Sequence, residues 1–116
     1  MTERSVKMSR PQRSRRVCAE PAHRIFKPVG MTDAKSEILT VDEYETIRLI
    51  DYLNMTQAQC AEQMNISRTT VTEIYERARF KIADCIVNGK QFSISGGNYN
   101  VCNGEASSSC SCILKK

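Results

Sequence analysis

One twenty-residue window restricts this chain more than any other: Thr56-Gln-Ala-Gln-Cys-Ala-Glu-Gln-Met-Asn-Ile-Ser-Arg-Thr-Thr-Val-Thr-Glu-Ile-Tyr75. It reads as two helices joined by a tight turn, the helix-turn-helix pattern. Thr56 is placed to cap the first helix, and Gln59, three residues on, completes a Thr-x-x-Gln capping box. Ala61 is small enough for a second helix to cross closely. Asn65 stands where the turn usually has Gly, and Asn tolerates the left-handed conformation better than most residues. Ile66 is the apolar plug of the turn, and Ser67 is a good N-cap for the helix that follows. Val71 and Ile74 then begin that helix's inward face.

An ordinary helical hairpin in an unrelated core would share the caps and the apolar spacing. The outward face separates the two readings. With Val71, Ile74, Ala78 and Ile82 inward, Arg68, Thr69, Thr72 and Glu73 face outward near the N-terminus, where a recognition helix meets base edges. Arg bonds guanine O6 and N7 together, Glu accepts from cytosine N4, and Thr offers a hydroxyl and a methyl group. A merely solvated face would be richer in Glu and Lys pairs. Ser67 would orient this helix, while Gln57, Arg77, Arg79 and Lys81 are candidates for phosphate contacts.

The flanks extend this core. Thr40-Val-Asp-Glu43 is a second capping box, with Asp42 and Glu43 suited to a helix N-terminus. Tyr44, Ile47, Leu49, Ile50 and Leu53 follow as its apolar face. The inward stripe of the last helix is expected to continue through Ile82, Cys85 and Ile86 to a stop at Asn88-Gly89. Residues 17–30, with two Pro and the short apolar pieces Val17-Cys18 and Ile25-Phe26, read as short extended segments and turns that could pair with a second extended candidate, Gln91-Phe-Ser-Ile-Ser95, as a small ribbon, and Thr32 to Glu37 reads as a loop or a short helix. The expected fold class is therefore mainly α: a three-helix helix-turn-helix core with a possible short β ribbon and flexible ends.

Charge is unevenly spread. Residues 1–30 hold eight Lys/Arg and two Glu, a net +6, whereas residues 31–116 hold nine Lys/Arg and eleven Asp/Glu, a net −2. Residues 1–16 read as a basic flexible arm, with Arg13, Arg15 and Arg16 the side chains expected to lie along phosphates or in a minor groove. Residues 17–99 would form the domain. The Ser-rich stretch 100–116, poor in core-forming residues, would be a flexible tail.

Six cysteines suggest disulfides only in an exported chain. No signal peptide and no apolar run of membrane-spanning length is visible, so a cytoplasmic protein without a membrane partner is expected. Cys60 and Cys85 fall on inward helical faces and read as small core residues. Cys18, Cys102, Cys110 and Cys112 offer four thiolates, a possible site for zinc or an iron–sulfur cluster. The Cys-x7-Cys-x-Cys spacing lacks the paired Cys-x-x-Cys knuckle that would make this pattern specific. His23, five residues after Cys18, reads as a polar loop residue more than as a fifth ligand.

Residues 39–82 resemble the region-four helix-turn-helix of bacterial sigma factors. The span from Arg10 to about Tyr99 resembles a family of small prokaryotic proteins of unknown function, predicted to bind DNA through that module. The matching pieces are Arg15-Arg16-Val17-Cys18, Glu20-Pro21, Phe26-Lys27-Pro28, Leu39-Thr40-Val41-Asp42-Glu43, Ile66-Ser67-Arg68-Thr69-Thr70, Val87-Asn88-Gly89-Lys90 and Gly96-Gly97-Asn98-Tyr99. Asn65 departs from the Gly common at that turn. The resemblance implies a fold and DNA binding, with neither a target sequence nor a regulated process.

The expected function is sequence-specific binding of double-stranded DNA, as a transcriptional regulator. A metal- or redox-responsive regulator using the outlying cysteines is one alternative. Another is a protein–protein adaptor touching RNA polymerase or another regulator. A homodimer through Tyr75 and Phe80 is compatible with any of them. An enzyme is not expected: no Gly-rich phosphate loop is present, and His23 lacks nucleophile and carboxylate partners.

Overall fold

Each helix starts where a side chain takes over the first unpaired N–H groups. The computed structural model describes residues 14–102. Along them run strands β1 (Arg15–Val17), β2 (Ile25–Phe26) and β3 (Ser36–Leu39), then helix α1 (Val41–Thr46) and a π-helical segment (Ile47–Tyr52). Helices α2 (Gln57–Met64) and α3 (Arg68–Asn88) and strands β4 (Gln91–Ile94) and β5 (Tyr99–Val101) follow. Both expected capping boxes are present. Glu43 donates its N–H to the Thr40 hydroxyl and returns its carboxylate to the Thr40 N–H, and Gln59 does the same with Thr56 through its side-chain oxygen. Asn65 closes α2 in the left-handed conformation at φ 61°, Ser67 caps α3 through the Thr70 N–H, and Gly89 ends α3 at φ 65°.

Three helices packed with small sheets make a mixed α/β architecture, more sheet-rich than the mainly α class expected from sequence. Strands β2, β4 and β3 form one sheet, with β2–β4 antiparallel and β3–β4 parallel. Of the two apolar pieces expected to be extended in residues 17–30, it is Ile25-Phe26 that pairs with Phe92-Ser93 in the Gln91–Ser95 stretch, and the Phe26 and Phe92 rings stack at 5.0 Å. Ser36–Leu39 overlaps the stretch expected as loop or helix and is instead the parallel strand alongside. Strands β1 and β5 pair in parallel, Val17 opposite Val101. They run across the boundaries expected at residues 16 and 99, so the packed unit extends further at both ends.

The core has two centres joined by α3. Val17, Leu39, Val41, Ala78 and Ile94 form one, and Leu49, Cys60, Ala61, Met64 and Val71 the other, with Ile66 packed against the second. Val71, Ile74, Ala78 and Cys85 form the buried stripe of α3. The stripe ends there. Ile86 is 75% exposed, a correction to its expected inward position. Past Thr46 the chain widens, and the Leu53 N–H bonds to the Arg48 carbonyl, five residues back, the π-helical ring. Leu49 is the segment's fully buried anchor.

Candidate nucleic-acid interface

The turn between α2 and α3 fixes the surface that the sequence singled out. The Ile66 N–H bonds back to the Ala61 carbonyl, so α2 is closed off before Ser67 opens α3. With Val71 and Ile74 fully buried, Arg68, Thr69 and Glu73 stand exposed at the first turns of α3. Among the described residues, no hydrogen bond or ion pair engages the Arg68 guanidinium. Thr72 is half-buried, and its hydroxyl donates to the side-chain oxygen of Gln57, the first residue of α2. That bond joins the two helix starts, so Gln57 and Thr72 behave as a coupled pair.

The basic residues further along α3 are engaged. Lys81 reaches Glu43 at 2.8 Å and Arg77 reaches it at 3.3 Å, while the Glu43 side chain is only 2% exposed. Arg79 lies 3.8 Å from Asp51 and stacks its guanidinium 5.3 Å from the Tyr75 ring centre. The Tyr75 hydroxyl donates to Asp51 at 2.6 Å, and that bond is the first cause of its raised pKa. Gln57, Tyr75, Glu76, Arg79, Phe80 and Ala83 line an open groove on this side of α3. Arg77, Arg79 and Lys81 therefore tie α3 to α1 and the π-helical segment.

Two expected arm residues are elsewhere. Arg15 is buried at 7% exposure in β1, with its Nε 3.6 Å from Asp42. Arg16 donates to the Gln63 and Glu62 carbonyls at the end of α2, where a cation complements the helix dipole. Pairing of β1 with β5 draws both from the flexible arm into the packed unit, so neither guanidinium lies on a free segment. Arg13, Cys110 and Cys112 lie outside the described residues. Cys18 is buried directly after β1, and Cys102 follows β5 directly. Among the described residues, no group of three or more His, Cys, Asp or Glu side chains could hold a metal ion.

Sequence reasoning missed the buried acids. Glu43 has the sequence signature of a cap alone, yet it accepts from α1's own start and from two cations of α3. Burial pushes its pKa up, but Lys81, the Thr40 N–H and Arg77 outweigh burial and hold it below the usual carboxylate range. A carboxylate lowered in the folded state contributes stability above its unfolded pKa and loses it as pH falls through the folded value. Glu43→Gln is accordingly expected to reduce stability at neutral pH and to flatten the acid side of the stability curve. Denaturant midpoints at neutral and acid pH check this, and an unchanged acid slope would contradict it. Glu45, also missed, is fully buried against Arg48. Its i, i+3 spacing from Arg48 was the available signal.

The family model described as "Protein of unknown function DUF134" matches residues 3–102, the whole of this packed unit. A UPF0251 protein of Desulfitobacterium hafniense (strain Y51) is 48% identical over 99 residues, covering 84% of this chain and 79% of that protein. A UPF0251 protein of Methanococcus maripaludis (strain S2) is 46% identical over 100 residues, covering 83% and 76%. One from Thermoanaerobacter pseudethanolicus is 48% identical over 96 residues, covering 81% of each. No solved structure matches the chain. The matched span takes in every described strand and helix, and the chain belongs to the prokaryotic DUF134/UPF0251 family.

Proposed function

We propose that this protein binds double-stranded DNA in a sequence-specific manner and acts as a transcriptional regulator. One observation carries the reading. The first turns of α3 expose Arg68, Thr69 and Glu73, with the Arg68 guanidinium unengaged among the described residues, while the opposite face is anchored by Val71 and Ile74. A helix held this way inserts its N-terminal residues into a major groove, and these side chains match base edges. Gln57 and Thr72, bonded to each other, would set the angle of entry and contact the adjoining backbone. Arg77 and Lys81 act in this proposal by holding α3 on Glu43. The basic sequence up to Arg13 supplies charge-driven affinity that falls steeply with salt. No catalytic step is part of the proposal.

Selection of bound sites from a random duplex pool, with salt titration of the winners, is the direct test. Enrichment of a defined sequence is expected. Arg68→Ala should then weaken binding to that sequence by about 1–3 kcal/mol and relax preference at one base pair. Unchanged affinity for both the selected site and random duplex would remove Arg68 as a base reader. Failure to enrich any sequence, with stable capture of RNA polymerase or another regulator, would replace the proposal with an adaptor role.

A further inference from the structure

The parallel ladder of β1 and β5 carries a cysteine directly after each strand. Val17 stands opposite Val101, and the Cys102 N–H bonds to the Val17 carbonyl at 2.7 Å. Continued by one residue, that register sets Cys18 beside Cys102. Alternate residues of an extended chain share a face, so Ser14, Arg16 and Cys18 lie on one side of the ladder, with Asn100 and Cys102 on that same side. The Ser14 hydroxyl donates to the Asn100 side chain at 2.8 Å, so side chains of the two strands already meet on this face. Neighbouring strands are about 4.8 Å apart, inside the Cα separation of about 4.4–6.8 Å that a disulfide spans. Both cysteines are reduced in this structure.

The surroundings of the pair suit sulfur exchange. Cys102 is half-buried and Cys18 is 5% exposed. Gln63, in the last turn of α2, donates its Nε2 to the Cys18 sulfur at 3.5 Å. Arg48 lies against the same sulfur: burial works against its guanidinium charge, and Glu45 and the Cys18 sulfur outweigh burial and raise its pKa. An amide donor and a cation stabilise the negative charge of a sulfur that attacks another sulfur. The two core cysteines lack this setting. Cys60 is fully buried with its sulfur 3.7 Å from Met64 Sδ, and burial pushes its thiol up to about 12. Burial likewise raises Cys85, whose sulfur faces the Gln91 carbonyl. Both behave as small apolar core residues.

We propose that Cys18 and Cys102 are a reversible redox pair, which a hydroperoxide oxidises to a disulfide locking β1 to β5 and which a thiol reductant reopens. The Cys102 sulfur attacks one peroxide oxygen, the O–O bond breaks, and water or an alcohol leaves behind a sulfenic acid. The Cys18 sulfur then attacks the sulfenic sulfur. The S–S bond forms, the S–O bond breaks, and the departing hydroxide takes the Cys18 proton as water. Two electrons pass from the sulfurs to the peroxide. The disulfide closes a loop through nearly every described element, so it constrains the unfolded chain strongly and the oxidised protein resists unfolding more than the reduced one. Crosslink mapping and unfolding need no DNA, so their outcome is independent of the DNA-binding proposal.

The test treats the full chain with hydrogen peroxide, alkylates the remaining thiols and maps peptides by mass spectrometry, for the parent and for Cys110→Ser/Cys112→Ser. In both, a crosslink between Cys18 and Cys102 is expected, with Cys60 and Cys85 alkylated only after unfolding. Dithiothreitol should remove the crosslink, and the denaturant midpoint should be higher in the oxidised form than in the reduced form. Adding Cys102→Ser to the double variant should abolish both the crosslink and the midpoint shift, with circular dichroism reporting that the helices persist. Cys18 joined to Cys110 or Cys112 in the parent would overturn the proposal. So would a folded double variant that forms no Cys18–Cys102 crosslink, or an oxidised form no harder to unfold than the reduced one.

Discussion

Replacing Glu45 with Ala is expected to destabilise the protein by about 3–5 kcal/mol, a large share of the roughly 5–15 kcal/mol that a domain of this kind has in total. Glu45 is fully buried, and its two oxygens accept from Arg48 Nε at 3.0 Å and Arg48 Nη2 at 2.9 Å. The second oxygen also accepts from the Cys18 N–H at 3.1 Å. The Arg48 side chain is only 10% exposed, so truncating Glu45 leaves a cation and a backbone donor stranded in a nearly dry site. Denaturant titration followed by circular dichroism measures the loss. A double replacement, Glu45→Met with Arg48→Met, should recover much of it, because the stranded charge, more than the missing attraction, carries the penalty. A single variant within about 1 kcal/mol of the parent would mean that the pair acts like a surface ion pair.

Gly97→Ala is the second large effect. Gly97 has φ +99°, and an added Cβ would lie 2.6 Å from Asp42 Oδ1 and 2.9 Å from Thr40 Cβ. The turn is pressed onto the start of α1, where the Val41 N–H bonds to the Gly96 carbonyl at 3.0 Å. A residue forced into that backbone region costs about 1–3 kcal/mol, and overlap with a packed neighbour adds about 1–3 kcal/mol more. Gly30 supplies the control. Its φ is +91°, but nothing lies within 4 Å of the place an added methyl group would take, so Gly30→Ala bears the backbone strain alone. Equal losses at the two positions would show that contact between the turn and α1 contributes nothing.

Local chemistry was the legible part of this fold. The Thr40 and Thr56 capping boxes, left-handed Asn65, the Ser67 cap and the Gly89 stop are each decided within a few residues, and all five are present. A ribbon between residues 17–30 and Gln91–Ser95 was suggested by short extended apolar pieces, but not which piece pairs: Ile25-Phe26 does, whereas Val17 pairs with Val101. What escaped notice depends on distant partners. Ser36–Leu39 has no alternating pattern, and its strand conformation comes from β4, which begins at Gln91. Arg15 and Arg16 look like arm residues until Tyr99–Val101 arrives to pair with them. Buried Glu43 looks like an ordinary N-terminal acid until Arg77 and Lys81 close over it from another helix. Ile86 fits the helical period but stands 75% exposed, beside the open groove it lines with Phe26, Pro28 and Phe92. In the candidate interface, exposure of Arg68, Thr69 and Glu73 followed from the period of α3, whereas the Thr72–Gln57 bond required the crossing of two helices.

The parallel union of β1 and β5 has a bearing on how the molecule comes into being. Ser14 and Asn100, bonded through their side chains at 2.8 Å, are 86 positions apart. During synthesis the first strand leaves the ribosome long before its partner exists. The helices, built on local bonds, are able to assemble earlier, and the β1–β5 ladder is left for a late step limited by closure of nearly the whole chain. A nascent chain stalled before Tyr99 would therefore present a helical body with an unmatched leading strand, open to chaperones or to the same segment of another nascent copy.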